Sequence, residues 1–344
     1  MKIKTLQEDN ELFLTLDKNS ENQKIQELWS TYASNIHSAI TNEGIQSFSY
    51  NPILSEGFGD TYGMNHFQKM LSTRGDIKLP LFIINNKYIN RIMDYLLGYK
   101  AWRRKSKTIA KNLEHLSTDD MFKIIALNSL KHKPQRIVHF DRGSIGIRHL
   151  RYMGFIYALN KCDVVKKHFE QVNSLCEIGS GFGASSIVFS HYFPNITKYY
   201  YFDIHPVIYI LIQYLKFVFG DDKIFTYSNL FEKTDKDPVN TLKKYVCLPN
   251  WEFDNINGMY DFVFNAASFQ EMDVEQICAY CKTIKDKSNT GAILSIVTYY
   301  SESSAENTHK KPIQIIGNEF EMISQIDCSD HTDINGIVSN YYIK

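Results

Sequence analysis

Three glycines that follow a short apolar run could hold a nucleotide-like ligand against the backbone. The run Ser174–Ile178 predicts a strand, Gly179, Gly181 and Gly183 follow at alternate positions, and helix-like apolar spacing comes next. Glycine permits the positive φ of a tight turn, and its missing Cβ leaves room for a ligand on the backbone. The first N–H groups of the following helix are free to bind. The pattern therefore predicts a strand–turn–helix ligand site.

The acid two positions before the first glycine indicates which ligand this site takes. Residues 179–184 also fit the dinucleotide pattern G-x-G-x-x-A, but Glu177 would repel an anionic pyrophosphate. S-adenosylmethionine carries an ammonium and a sulfonium and has no phosphate. We therefore predict that S-adenosylmethionine binds here, with Glu177 reaching its ammonium and the three glycines cradling its methionine and ribose. A glycine turn without a ligand is the alternative.

Polar residues also follow the next two predicted strands. Asp203 comes at the end of the strand predicted over 198–202, and its carboxylate can accept both ribose hydroxyl hydrogens. It could equally cap the helix that Pro206 begins. Asn229 follows a strand predicted over 223–227, and we assign it to the adenine amino group. The alternative is that Asn229 only shapes a turn.

The segment 261–272 offers a strand followed by several polar side chains in one short turn. Glu271 could act as a general base that takes a proton from an acceptor hydroxyl. We assign Asn265 to cofactor binding and Gln270 to the acceptor. The alternative is that Gln270 and Glu271 only anchor the loop before a helix capped by Asp273.

From about residue 166, strands and helices alternate, which predicts an α/β fold with a doubly wound, parallel sheet. The residues before that point have mainly helical spacing. We therefore expect a helical N-terminal region, 1–165, that covers the acceptor site, and a cofactor domain, 166–344. Ligands of such sheets bind at the carboxyl ends of the strands. The remaining predictions are helices over 184–192 and 207–215, strands over 260–265 and 291–298, a closing hairpin of 321–327 and 337–343, and a loop-rich insertion around Pro249.

Bulk properties exclude several classes of protein. The 344 residues carry 38 basic and 38 acidic side chains, a balance that gives no general attraction to nucleic acid or to a membrane surface. There is no apolar signal core, and the longest apolar run is too short to span a bilayer, so we expect a cytoplasmic protein. The six cysteines form no disulfide framework. The pair Cys278 and Cys281 lacks a second ligand pair, so no residue is assigned to a metal, although the oxygens of Glu271 and Asn265 leave a divalent ion open.

Three segments together resemble the sugar O-methyltransferase family whose members are encoded among bacterial surface-polysaccharide genes. They are residues 177–183, 202–209 and 264–272. The resemblance implies a Rossmann-like, seven-stranded class I methyltransferase sheet, S-adenosylmethionine as methyl donor, and a sugar hydroxyl as acceptor, on a free sugar, a nucleotide sugar or a glycan. One departure is His205, which precedes Pro206 and adds an imidazole as a second candidate for a catalytic base.

The acceptor side is read from the polar stretch 139–152, just before the cofactor domain. Arg142, Arg148 and His149 are the candidates for acceptor binding, and surface solvation is their alternative. Two other functions stay open: a methyltransferase for another small molecule or for RNA, and a non-catalytic methyltransferase-like scaffold subunit. The oligomeric state cannot be predicted from these patterns.

Overall fold

The computed structural model describes residues 6–20, 27–43, 103–113, 118–130, 137–231, 237–299, 310–332 and 335–343. The described residues before the sheet are mainly helical, and residues 103–113 are also a helix. The helices are α1 (Leu6–Asn19), α2 (Glu27–Glu43), α3 (Asp119–Ser129), α4 (Ile147–Asn160), α5 (Asp163–His168), α6 (Ala184–Tyr192), α7 (Val207–Phe219), α8 (Val274–Asp286) and α9 (Lys310–Glu319). The strands are β1 (Ile137–Phe140), β2 (Gly143–Gly146), β3 (Ser174–Ile178), β4 (Lys198–Asp203), β5 (Ile224–Phe225), β6 (Tyr245–Pro249), β7 (Tyr260–Ala266), β8 (Ser288–Tyr299), β9 (Glu321–Asp327) and β10 (Gly336–Tyr342).

Eight of these strands form one mixed sheet in the order β5-β6-β4-β3-β7-β8-β10-β9. The first six are parallel to one another, and β10 runs antiparallel to β8 and β9. The central strands are almost wholly buried, as expected when helices cover both faces. The predicted doubly wound α/β class is therefore confirmed, and the carboxyl ends of β3, β4, β6, β7 and β8 share one edge.

The sheet has eight strands among the described residues rather than seven, because one strand falls in a predicted loop. Strand β6 lies between β5 and β4, within the segment read as a loop-rich insertion around Pro249. It is a short, fully buried run without alternation, which periodicity does not distinguish from other apolar segments. The strand predicted over 223–227 is shorter in the structure, where β5 comprises only Ile224–Phe225.

Other elements agree closely with the sequence patterns. The helix predicted over 184–192 is α6, and the closing hairpin is β9 and β10. The expected cap of α8 is a capping box, in which the Asp273 side chain accepts from the Gln276 N–H. The hairpin of β1 and β2 was not expected in a mainly helical region. Residues 87–97, whose apolar spacing is also typical of a helix, lie outside the described residues.

The helices before the sheet share its apolar core. Leu16 of α1 and Ile36 of α2 are fully buried, and Phe13 packs edge-on against Tyr209 of α7, with ring centroids 5.0 Å apart. A domain boundary near residue 165 stays a prediction, since α4 on one side of it packs into the same core. No helix in the described ranges is both long enough and apolar enough to cross a bilayer.

Candidate active site

A cavity lies at the carboxyl edge of the sheet, where the turns after β3, β4 and β7 meet helices α4 and α8. Five of the thirteen residues singled out from the sequence line it, and the other eight do not. Those that line it are Gly179, Gly181, Asp203, Glu271 and Arg148. Those that do not are Glu177, Gly183, Asn229, Asn265, Gln270, His205, Arg142 and His149.

The glycine turn after β3 is shaped by close contact with the turn after β7. Gly179 and Gly181 have φ values of +74° and +57°, and the Gly179 N–H donates to the Phe202 carbonyl at 2.8 Å. A Cβ on Gly179 would lie 2.2 Å from Oγ of Ser268. Both the backbone conformation and the space therefore require glycine at this position.

Gly183 has a packing role instead of a ligand role. It precedes α6 with a φ of +89°, and a Cβ there would lie 3.3 Å from both Leu211 and Leu215 of α7. The third glycine therefore allows α6 and α7 to approach closely. This matches the use of the third glycine in other nucleotide-binding turns.

Asp203 joins the end of β4 to the glycine turn. Its Oδ2 accepts from the Gly181 N–H and its Oδ1 from the Ile204 N–H, both at 2.7 Å. Burial raises the pKa of Asp203 to about 7, against the lowering effect of these hydrogen bonds, and the charge of Glu271 adds to the rise. The two carboxyl groups thus share one end of the cavity, where a positively charged ligand would favour their ionised forms.

Glu177 lies behind the cavity wall. It is fully buried, and it accepts hydrogen bonds from the Tyr152 hydroxyl at 3.1 Å and from the Ser185 hydroxyl. Burial is the main cause that raises the pKa of Glu177 to about 8. Tyr152 lines the cavity and Glu177 does not. The Glu177 carboxyl group is therefore linked to the cavity by its hydrogen bond with the Tyr152 hydroxyl.

The turn after β7 is held by the two polar side chains that we had assigned to ligands. The Asn265 side chain donates to the Ile178 carbonyl at 2.9 Å and accepts from the Phe269 N–H at 3.1 Å. Gln270 accepts from the Tyr299 N–H at 2.7 Å, which ties the turn to β8. These bonds direct both side chains into the protein and leave Ser268 and Glu271 facing the cavity.

Helix α4 contributes one face to the cavity. Arg148, Arg151 and Tyr152 line it together, since residues three and four apart share one side of a helix. Arg151 is 5% exposed, and its guanidinium lies 5.9 Å from the ring of Tyr299. The intervening His149 is buried elsewhere, with Nε2 2.9 Å from the Tyr214 hydroxyl.

Arg142 also lies outside the cavity. It contacts Asp119 at 3.3 Å and lies over the ring of Phe122 at 4.5 Å, so it joins the β1–β2 turn to α3. Of the four acceptor candidates, which are Arg142, Arg148, His149 and Gln270, Arg148 alone lines the cavity.

The asparagine that faces the cavity beside β4 is Asn250 and not Asn229. Asn229 accepts from the Thr226 N–H at 2.7 Å and so shapes the turn after β5. Asn250 follows β6, the strand that the sequence reading missed, and it lines the cavity near Tyr280. Tyr280 is buried, which raises its pKa, and a hydrogen bond with Asn250 acts in the opposite direction.

His205 points to the N-terminal helices. Its side chain is 3% exposed, and Nε2 lies 3.7 Å from a carboxylate oxygen of Asp17 in α1. Burial lowers the pKa of His205 to about 4, so the imidazole is neutral near pH 7. Since it does not line the cavity, it is not placed to act as a base there.

Several cavity residues were missed by sequence reasoning, among them Arg151, Tyr152, Asn250, Tyr280 and Tyr299. The first two carry a usable signal, because they follow Arg148 at helical spacing. Asn250 becomes visible only once β6 is recognised as a strand.

Comparison with known proteins gives distant likenesses of fold. No protein-family model and no curated protein sequence matches this chain. Similar solved structures include a magnesium protoporphyrin IX methyltransferase from Synechocystis, with 12% identity, 58% of this chain and 82% of that chain covered, and a TM-score of 0.39. Fibrillarin from Aeropyrum pernix has 10% identity, coverage of 60% and 81%, and a TM-score of 0.38. An O-methyltransferase of tomaymycin synthesis from Streptomyces achromogenes has 8% identity, coverage of 66% and 92%, and a TM-score of 0.38.

Each of these three structures contains bound S-adenosylmethionine. At such identities and TM-scores, the likeness assigns neither an activity nor a substrate to this chain.

Proposed function

We propose that this protein is an S-adenosylmethionine-dependent O-methyltransferase that methylates a sugar hydroxyl in bacterial surface-polysaccharide biosynthesis. The observation that carries the proposal is the cavity in which a glycine turn and Asp203 meet Glu271 at the carboxyl edge of the sheet. The sugar acceptor follows from the resemblance of three segments of the sequence to sugar O-methyltransferases. S-adenosylmethionine supplies an electrophilic methyl group when bound.

The charges around the cavity favour this cofactor over a dinucleotide. Asp203 and Glu271 line the cavity, and Glu177 lies directly behind Tyr152. Carboxylates at Asp203 and Glu271 would repel a pyrophosphate, whereas an ammonium and a sulfonium would lower the raised pKa values of Asp203 and Glu177 and be held by the ionised carboxylates. Gly179 and Gly181 line the cavity, so the backbone of this turn is available to a bound cofactor.

The acceptor side combines a carboxylate with arginine and tyrosine. Glu271 is the candidate base for the acceptor hydroxyl, and Arg148 and Arg151 are donors for sugar oxygens or for an attached phosphate. Aromatic rings such as Tyr299 offer an apolar face to a sugar ring. These residues bind and orient the hydroxyl, and they exclude water as the methyl group is transferred.

Calorimetric titration of the purified protein with S-adenosylmethionine, S-adenosylhomocysteine and NAD tests the cofactor. Binding of the first two and not of NAD is expected. Binding of NAD alone would contradict the reading of the glycine turn, and binding of none would favour a scaffold subunit.

Transfer of a labelled methyl group to a panel of acceptors tests the substrate class. The panel holds free sugars, nucleotide sugars, lipid-linked glycan units and RNA. Methylation of RNA or of another small molecule without any sugar would leave the methyltransferase reading intact and overturn the sugar assignment.

A further inference from the structure

Two histidines and one aspartate meet outside the proposed active site. Asp17 lies on α1, His37 on α2, and His205 in the turn between β4 and α7. The potential ligand atoms of the three side chains all lie within 4.8 Å of one another. None of the three lines the cavity described above.

The distances suit a small divalent ion. Nε2 of His37 lies 3.1 Å from Oδ1 of Asp17, and Nε2 of His205 lies 3.7 Å from the same oxygen. With zinc bonds of about 2.0–2.2 Å to nitrogen and oxygen, tetrahedral ligand atoms stand about 3.4 Å apart. The two observed distances lie on either side of that value, so an ion fits with small side-chain movements.

The surroundings orient the two imidazoles. The ring of Phe13 packs 5.1 Å from His37 and 5.0 Å from His205, between centroids, and the two histidine rings are nearly perpendicular. His205 is 3% exposed, whereas the Asp17 and His37 side chains are 44% and 36% exposed. The cluster is thus closed on the protein side and open to solvent on the other, which leaves room for a water ligand.

The ligand types are those that borderline metals prefer. Neutral imidazole and carboxylate bind zinc, and a set of two histidines and one carboxylate also binds iron(II).

We propose that Asp17, His37 and His205 form a binding site for a zinc-class divalent cation, with an open fourth position. The ion would join α1 and α2 to the turn that follows Asp203, so its main effect would be on stability. The competing explanation is an ion pair between Asp17 and a protonated His37. The proposal is independent of the methyltransferase activity.

The test measures metal binding by the full-length, tag-free protein after chelator treatment. Zinc is titrated against a competing indicator, and cobalt is added to give visible absorption that reports its geometry. We expect one equivalent to bind, with a tetrahedral cobalt spectrum and a higher melting temperature. Failure of the wild-type protein to bind either ion at a defined stoichiometry would overturn the proposal.

Variants identify the ligands. Asp17→Asn and His37→Gln keep partial hydrogen-bonding ability and should each weaken zinc binding at least about tenfold, as the loss of even supporting groups does in metal sites. His139→Gln is the matched control, because this exposed histidine on β1 contacts only Ser144 among the contacts resolved for it. Equal affinities of wild type and both variants would overturn the assignment. Circular dichroism of the same samples before metal is added checks that the variants are folded.

Discussion

The two halves of the cavity are built by different means. On the cofactor side, the ends of β3 and β4 hold backbone and carboxylate together, as in the bond from the Gly181 N–H to Asp203. On the acceptor side, the walls are side chains from α4 and from the turn after β7, including Arg148 and Glu271. The first half depends on backbone shape, and the second depends on which side chains project from fixed elements. Substitutions on the cofactor side should therefore change the affinity for S-adenosylmethionine, and substitutions on the acceptor side should change the rate of methyl transfer.

The largest expected effect is on the rate. Glu271→Gln should lower kcat by about 100-fold or more, the usual range for loss of a general base, and leave the affinity for S-adenosylmethionine within a few-fold. The matched control is Glu275→Gln, an exposed acid of the first turn of α8. Single-turnover methyl transfer with a sugar acceptor measures the rate. A large loss of affinity for S-adenosylmethionine without a loss of rate would assign Glu271 to the cofactor side of the cavity.

The converse effect is expected at Asp203. Asp203→Ala should weaken S-adenosylmethionine binding by about 10- to 100-fold, the equivalent of one or two charge-assisted hydrogen bonds. The expected loss of affinity has two causes. The ligand loses a carboxylate partner, and the glycine turn loses the acceptor of the Gly181 and Ile204 N–H groups. Asp222→Ala is the control, since this acid is exposed and pairs only loosely with Lys223 at 3.4 Å. Unchanged affinity in calorimetry would refute the assigned role.

The contact between the two halves can be tested at Gly179. Gly179→Ala should reduce the free energy of unfolding by about 1–3 kcal/mol, because the new Cβ meets Ser268 and φ is positive. Gly291→Ala is an informative control: φ is +81° there, but nothing lies within 4 Å of the new Cβ, so it isolates the backbone cost.

A double variant completes this experiment. Replacing Ser268 by glycine in the Gly179→Ala background should recover the steric part of the loss and leave the φ part. If denaturant unfolding shows no recovery, the turns after β3 and β7 do not press on each other as the structure indicates.

Local motifs made part of the cofactor side predictable. Gly179 and Gly181 after β3 and Asp203 at the end of β4 are each read from a few adjacent residues and line the cavity, whereas Glu177, Gly183, Asn229 and Asn265 do not. The direction of Asn265 and Gln270 could not be read in this way. Their side chains satisfy the Phe269 N–H and the Tyr299 N–H, which are buried backbone groups that only the folded turn reveals.

Long-range placement explains the remaining misses. Strand β6 is an apolar run without alternation, so neither its pairing with β4 nor the role of Asn250, which follows it, was predicted. The cluster of Asp17, His37 and His205 comes from three segments far apart in the chain, and no spacing rule joins them. Sequence patterns report on neighbours along the chain, whereas these features depend on how elements pack.

The smallest expected effect is a pH dependence that comes from the buried acid behind Tyr152. The pKa of Glu177 is raised from 4.5 to about 8 in the ligand-free protein, so the folded state holds a proton that the unfolded state has lost between these values. The stability from this proton is fully present below about pH 4.5 and is lost as the pH rises through about 8.

Glu177→Gln removes this proton-linked contribution and keeps a similar shape. We expect the free energy of unfolding of the wild type to fall relative to this variant between pH 6 and pH 9 by about 1 kcal/mol or more, since one pKa unit corresponds to about 1.4 kcal/mol. Denaturant unfolding at several pH values measures it, with Glu275→Gln as the exposed control. A bound cation should reverse the trend, because it favours the ionised carboxylate. Parallel curves for wild type and Glu177→Gln would mean that Glu177 is ionised throughout this range, and the carboxylate would then already be charged when the cofactor arrives.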